Sequence, residues 1–357
     1  MQDDERLGAL VSEERDMTAS DFQPRISDAD APTLVLTREF IASRMESSAY
    51  VAAVHGAFEQ FAQGQIDVPS VGHVRGFDGA FHIKSVTGST SPRRAVVKLN
   101  ANFPANPSRY GLPTIQGVIA LFDADRGSLL ALMDSVEVTA QRTAAASVVA
   151  ARLLAKVQAS RLAFIGCGMQ AHYHLAAFLA AFPIRTLACY DVDAEAAKRI
   201  AGSAMAKGLD VTIASSARSA TERADIVVTC TVSRVPILDR GDVQPGCFIA
   251  AVGADAPGKH EIAPELMHYA RVVPDVLAQA LVMGDLHHAI DAGTMRAEGV
   301  HGELADVVSG RIAGRTHEDE LFVFDSTGTA IADLAAANAI FELACADAAA
   351  PRFRLAA

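Results

Sequence analysis

The chain has 357 residues, half of them hydrophobic, which is enough for a large core in two domains or one large one and excludes global disorder. Its 31 basic and 42 acidic residues leave a formal charge of -11, which offers no general attraction to phosphate backbones or anionic membranes, so neither nucleic acid nor membrane is expected as a partner. Five cysteines without CxxC spacing point away from a disulfide framework and from a structural zinc site, and no metal is expected.

Residues 1–32 are polar and acidic and read as a flexible extension. The opening MQDDERLGALVSEERDM lacks the basic-then-apolar layout of a signal peptide, and no long apolar run follows, so a cytoplasmic location is expected. A helix is predicted from about Thr37 to Gln63, where Phe40, Ile41, Met45, Val51, Val54, Phe58 and Phe61 recur near helical spacing. From Val68 to Met133 short apolar runs are broken by Gly, Pro, Asn and Asp, the mark of an α+β or barrel-like region. The Ala-rich segment 136–157 is predicted helical and leads into a second domain.

Beyond it, apolar strand-like runs alternate with helical ones: LAFIG, TLACYD, DVTIAS, IVVTCT, CFIAAVG and RVVPD are each followed or preceded by helix-forming segments. Strands apolar on both faces in such alternation predict a doubly wound parallel sheet, an α/β Rossmann architecture. The domain limits read as 33–150 for an α+β substrate and dimerisation domain and 151–318 for the Rossmann domain. LFVFDSTG and the last Ala-rich helix resemble none of the βα units, so 319–357 is expected to return to the first domain.

Within RLAFIGCGMQAHYHLAAF, an apolar strand runs into Gly166-Cys-Gly168-Met169-Gln170-Ala171 and then a helix. Gly166 allows the tight turn, Gly168 lets a pyrophosphate approach the backbone, and Ala171 is small enough for helix packing. Asp191 ends the second strand, where a carboxylate accepts from both ribose hydroxyls of NAD and repels the phosphate of NADP. NAD is therefore the expected cofactor, with NADP the alternative. Ligands of open parallel sheets lie beyond the carboxyl ends of the strands, which puts Ser233, after IVVTCT, and Asp255, after CFIAAVG, at the cofactor edge.

In AVVKLNANFPANPSRYGLPTIQG, Lys98 sits in an apolar strand, as an edge residue facing water or a buried cation awaiting an anion. Arg142, in TAQRTAAAS, lies either on a solvated helix face or against a carboxylate. Together KLNANFPANP with GLPTIQG, LMDSVEVTAQRTAAAS, IGCGMQA, VTCTVSRVP with PGCFIAAVGADAPGKHE, and FDSTGTAIAD resemble the ornithine cyclodeaminase and mu-crystallin family over about residues 35–345. The resemblance implies a dimer acting on small amino or imino acids. It makes Lys98 and Arg142 the ligands of the substrate carboxylate, Thr114 a lining residue, Asp255 the acid acting on the substrate nitrogen, and Gly166, Gly168, Ala171 and Asp191 cofactor positions.

The expected function is NAD(P)-dependent reduction of a small imino acid, or oxidation of an L-amino acid, at Cα. The alternatives are a cyclodeaminase that recycles its NAD, and a cofactor-dependent binding protein of mu-crystallin type. The family's cyclising members carry an arginine and then a glutamate near a Met-Pro pair. This chain reads VGHVRGFDGAFHIKSV there, with Arg75 a stand-in for the arginine or not, His82 or Ile83 near the glutamate position, and Lys84 beside them. Lys84 and His82 read either as contacts to a second anionic or polar group on the substrate or as surface residues of a strand.

Overall fold

The computed structural model describes residues 32–354, so the extension expected over 1–32 lies, apart from Pro32, outside the described residues. Chain order begins β1 (Thr33–Leu36), α1 (Arg38–Arg44), α2 (Ser47–Ala62), β2 (Ser70–Arg75), β3 (Ala80–Gly88), β4 (Arg94–Asn102), α3 (Asn106–Tyr110), β5 (Ile115–Asp123) and β6 (Leu129–Asp134). The helix expected over 37–63 is thus two helices. Met45 takes extended backbone and is buried, so tertiary packing overrides helix propensity at a point with no Gly or Pro to announce it.

β2 to β6 form an antiparallel meander, and β1 adds in parallel beyond β6. Period-two alternation sends Val86, Val96, Ile119, Leu121, Ala131 and Met133 to one buried face. That face is covered by two Ala-rich helices, α4 (Ser135–Leu154) and α12 (Ala330–Ala346), and α2 packs on both helices. α4 touches elements of both sheets and is buried along nearly its whole length, which explains its alanines: only small side chains let two layers approach one helix.

The remaining elements are β7 (Arg161–Ile165), α5 (Met169–Ala181), β8 (Thr186–Tyr190), α6 (Ala194–Met205), β9 (Asp210–Ile213), α7 (Ala217–Thr221), β10 (Ile226–Thr229), β11 (Arg234–Leu238), β12 (Phe248–Ala251), β13 (His260–Ile262), α8 (Pro264–Tyr269), β14 (Arg271–Pro274), α9 (Leu277–Ala280), α10 (Gly284–Asp291), α11 (Leu304–Val308), β15 (Phe322–Asp325) and, after α12, β16 (Arg352–Phe353). Seven of these strands build an all-parallel sheet in the order β14-β15-β12-β10-β7-β8-β9. The order reverses at β7, as in a doubly wound Rossmann sheet. β10, β12 and β15 are buried at every position, in keeping with strands covered on both faces.

One boundary is corrected. β15, expected to return with 319–357 to the first domain, lies inside the parallel sheet between β12 and β14, and only the following α12 crosses to the antiparallel sheet. Phe322, Val323 and Phe324 are apolar on both faces, as an interior parallel strand requires, a stronger signal than the unusual helix after it. Among the described residues no helix is long and apolar enough to cross a membrane.

Candidate active site

The inner face of the antiparallel sheet and the carboxyl ends of the parallel strands enclose a cleft of about 210 Å³ that opens into a side chamber of about 80 Å³. Three strands of the antiparallel sheet, three loops that follow strands of the parallel sheet and the helices α4 and α5 supply its walls, and each arrives there for a local reason.

From the antiparallel sheet come two lysines. Lys84 on β3 and Lys98 on β4 are directly opposed in register and face inward, both buried. Lys98 is therefore the buried cation, not an edge residue. Its Nζ lies 2.5 Å from Asp333 Oδ2, and Arg142 Nε donates to Asp333 Oδ1 at 2.8 Å, so one carboxylate on α12 is shared by cations from β4 and α4. Desolvation and the neighbouring Arg142 push Lys98 down to about 7. Burial works against the charge of Asp333, but Arg142 and Lys98 hold it below the usual carboxylate range. Lys84 Nζ donates to the carbonyls of Thr327 (3.0 Å) and Gly328 (2.5 Å) in the loop between β15 and α12, and burial followed by Arg142 lowers its pKa too. Asp275 holds the same loop, accepting from Thr327 Oγ1 and the Gly328 amide at 2.7 Å each.

From the parallel sheet comes the loop carrying Asp255. Glu261, fully buried, accepts from Thr229 Oγ1 and the Gly253 amide at 2.7 Å and from the Thr231 amide at 2.6 Å, stapling the ends of β10 and β12 together. His288 bonds the Lys259 carbonyl at 2.8 Å and stacks on His260, so α10 supports the same loop from behind. Asp255 stands at the cleft mouth with Lys259 Nζ 2.5 Å away. Desolvation raises its pKa, but Lys259, Lys84 and His82 together bring it below the ordinary value, so it is held ionised. His82 faces the side chamber, and burial and the adjacent His73 lower its pKa, which keeps it neutral at pH 7.

The glycine loop meets the same cleft. Gly166 has φ +90°, and a Cβ there would sit 2.8 Å from the Cys230 carbonyl, so no other residue fits. Gly168 caps α5 with no side-chain bond and has open space where a Cβ would point. Met169 and Gln170 line the cleft, and Ala171 is fully buried against the core. Asp191 Oδ2 accepts from the Cys167 amide at 2.6 Å and Oδ1 from the Asp193 amide at 2.8 Å, which ties the tip of β8 to the loop.

Two expected residues are placed differently. Ser233 bonds the Val235 carbonyl through its hydroxyl at 2.6 Å, and the wall after β10 is built by Cys230, Thr231 and Val232. Thr114 precedes β5 with its carbonyl bonded to the Phe103 amide, and its neighbour Ile115 lines the cleft. Arg75, left open above as a stand-in for the arginine of the cyclising members, lies on an outer groove with Phe77 and Tyr110, outside the cleft that Lys84 lines. Asn100, Thr139, Lys259 and Asp333 were not anticipated. Asp333 had a readable signal, an acid in the apolar first half of a helix, whereas Asn100 Oδ1 and Thr139 Oγ1, buried without a hydrogen-bond partner, become meaningful only in three dimensions.

Residues 32–347 match the model of the ornithine cyclodeaminase/mu-crystallin family. The L-lysine cyclodeaminase of Streptomyces rapamycinicus is 33% identical over 291 residues, 79% of this chain and 82% of that one. An archaeal alanine dehydrogenase dimer solved with bound NAD superposes with a TM-score of 0.86 at 33% identity, covering 90% of this chain and 99% of that one. The iminosuccinate reductase of Paracoccus denitrificans, solved with NAD+, gives a TM-score of 0.83 at 30% identity over 90% and 99%. Buried Lys98 and Arg142, Asp255 at the mouth and a glycine loop at the rim thus stand in a chain that belongs to the ornithine cyclodeaminase/mu-crystallin family.

Proposed function

We propose that this chain is an NAD(P)-dependent oxidoreductase acting at Cα of a small L-amino or imino acid, an imino-acid or ketimine reductase or the matching amino-acid dehydrogenase. The observation that carries this is one cleft lined by Arg142, Lys98 and Asp255 on one side and by Met169 and Gln170 of the glycine loop on the other. The open space above Gly168 at an uncapped helix start fits a pyrophosphate, and Asp191 at the tip of β8 favours NAD over NADP. Bound there, the nicotinamide donates or accepts the hydride.

The protein's own groups do the rest. Lys98 and Arg142 come from different elements but share Asp333, so they are pre-oriented as a two-point clamp for a carboxylate beside the reacting carbon. Ionised Asp255 stabilises the positive charge of a protonated imine during reduction, and in the oxidative direction it takes the proton from the substrate ammonium. Lys259 holds that carboxylate in place. The outer face of the antiparallel sheet exposes Val97 (38%), Leu99 (38%) and Val118 (45%), and we assign it to contact with a second copy in a homodimer.

The test follows NADH and NADPH absorbance with pyruvate plus ammonia or methylamine, oxaloacetate plus ammonia, and cyclic ketimine acids, alongside ornithine plus NAD for ammonia release. Net NADH consumption is the expected result. Ammonia from ornithine with no net redox change replaces the reading with a cyclodeaminase, and cofactor binding with neither activity replaces it with a binding protein. Asp255→Ala should lower kcat by about 10²- to 10⁴-fold while NAD binding is kept; an active variant sinks the role of Asp255.

A further inference from the structure

We infer that the side chamber of the cleft takes a second carboxylate, so that the substrate is a short dicarboxylic α-imino acid, the adduct of a 2-oxo diacid with ammonia, and the product an acidic L-amino acid. This rests on the reading of the site given above and narrows it to a substrate class.

The argument begins with a like-charge pair. Lys84 and Lys98 are cross-strand neighbours on the buried face, an arrangement that costs stability unless anions answer both charges. Asp333 answers Lys98 and Arg142. Lys84 has no ion-pair partner among the described residues; its Nζ bonds two backbone carbonyls, and an ammonium has three donors, leaving one for a ligand.

The neighbouring inward positions continue the pattern. His82 lies opposite Asn100 and Ala80 opposite Asn102, and His82, Asn100 and Asn102 line the side chamber with Lys84. Of these Lys84 only donates hydrogen bonds, while neutral His82, Asn100 and Asn102 each offer a donor beside an acceptor. The carboxylates at hand are already engaged, Asp255 by Lys259 and Asp333 by Lys98 and Arg142. An ω-ammonium entering the chamber meets two lysines, an arginine and a neutral imidazole with no free acid to pair with. A carboxylate there meets Lys84 and His82 one residue pair along the strands from the clamp that holds the first.

The experiment uses the full chain and NADH and compares kcat/KM for oxaloacetate plus ammonia with that for pyruvate plus ammonia. The diacid is expected to lead by roughly 100-fold, in line with a site built around polar groups of its substrate. Lys84→Met and, independently, His82→Leu should each collapse that ratio at least about tenfold, and because a ratio is read, general loss of activity does not imitate the effect. A binding readout accompanies it: succinate should raise the melting temperature of the NADH-loaded protein more than propionate does, and Lys84→Met should erase the difference. Equal or better use of pyruvate, or a ratio unmoved in both variants, overturns the dicarboxylate assignment while leaving imine reduction standing. Failure to consume NADH with any imino acid, cyclic ketimine acids included, overturns both.

Discussion

The two sheets of this protein make their halves of the cleft by different means. The parallel sheet has central strands, β7, β10, β12 and β15, buried at nearly every position, and what it offers the cleft is mostly backbone: the turn at Gly166, the start of α5 at Gly168, and loops stapled by Glu261. The antiparallel sheet instead carries ionisable side chains on its inner face, Lys84 and Lys98 amid Val86, Val96 and Ile119. A backbone-built site is cheap to bury because its polar groups belong to the fold. A side-chain-built site needs compensating charge, and Asp333 supplies it from a helix that follows the last parallel strand. The crossover of α12 is thus what makes the two halves one site.

That contrast is most strongly tested at Asp333. Asp333→Leu leaves Lys98 and Arg142 buried without their shared anion, and removal of one member of such a buried cluster costs about 3–5 kcal/mol; chemical unfolding should show that loss, with Asp333→Asn intermediate. On the other side the test is a pair of glycine variants. Gly166→Ala forces a side chain into a left-handed φ against the Cys230 carbonyl and should cost about 1–3 kcal/mol of stability. Gly168→Val enters open space, so its melting temperature should stay near wild type while NAD affinity falls. Equal stability losses at both positions would refute a division between fold and cofactor roles within one loop.

The same contrast explains what was legible in the sequence. The parallel sheet was readable because its signals are local: apolar runs of strand length, a glycine turn between strand and helix, an acid after β8. Lys98 and Arg142 were noticed as charges in apolar surroundings, but the residues alone left both open between water and a buried partner; Asp333, which decides it, lies 191 residues from Arg142. Separation in sequence likewise left Lys84 open between a substrate contact and a surface position, since its partners Thr327 and Gly328 are 243 and 244 residues away. β15 was misplaced because its helix, unlike the others, leaves the parallel sheet, and no local pattern records where a helix packs.

The smallest expected effect is on pH. Lys98 is pushed down to about 7 by desolvation and by Arg142, so in the unliganded protein it loses its proton as pH rises through that value. A carboxylate ligand needs the ammonium, so above pH 7 binding must be accompanied by proton uptake. The apparent Kd for a carboxylate ligand should then rise with pH, by at most tenfold per unit (about 1.4 kcal/mol), and flatten below 7 where Lys98 is already charged. NAD affinity, set by the glycine loop and Asp191, should not follow the same curve. Titrating a carboxylate competitor between pH 6 and 9, with NAD titrated in parallel, separates the two: a flat carboxylate profile would mean that Asp333 keeps Lys98 charged throughout, and a shared slope would mean that the two halves of the cleft do not bind independently.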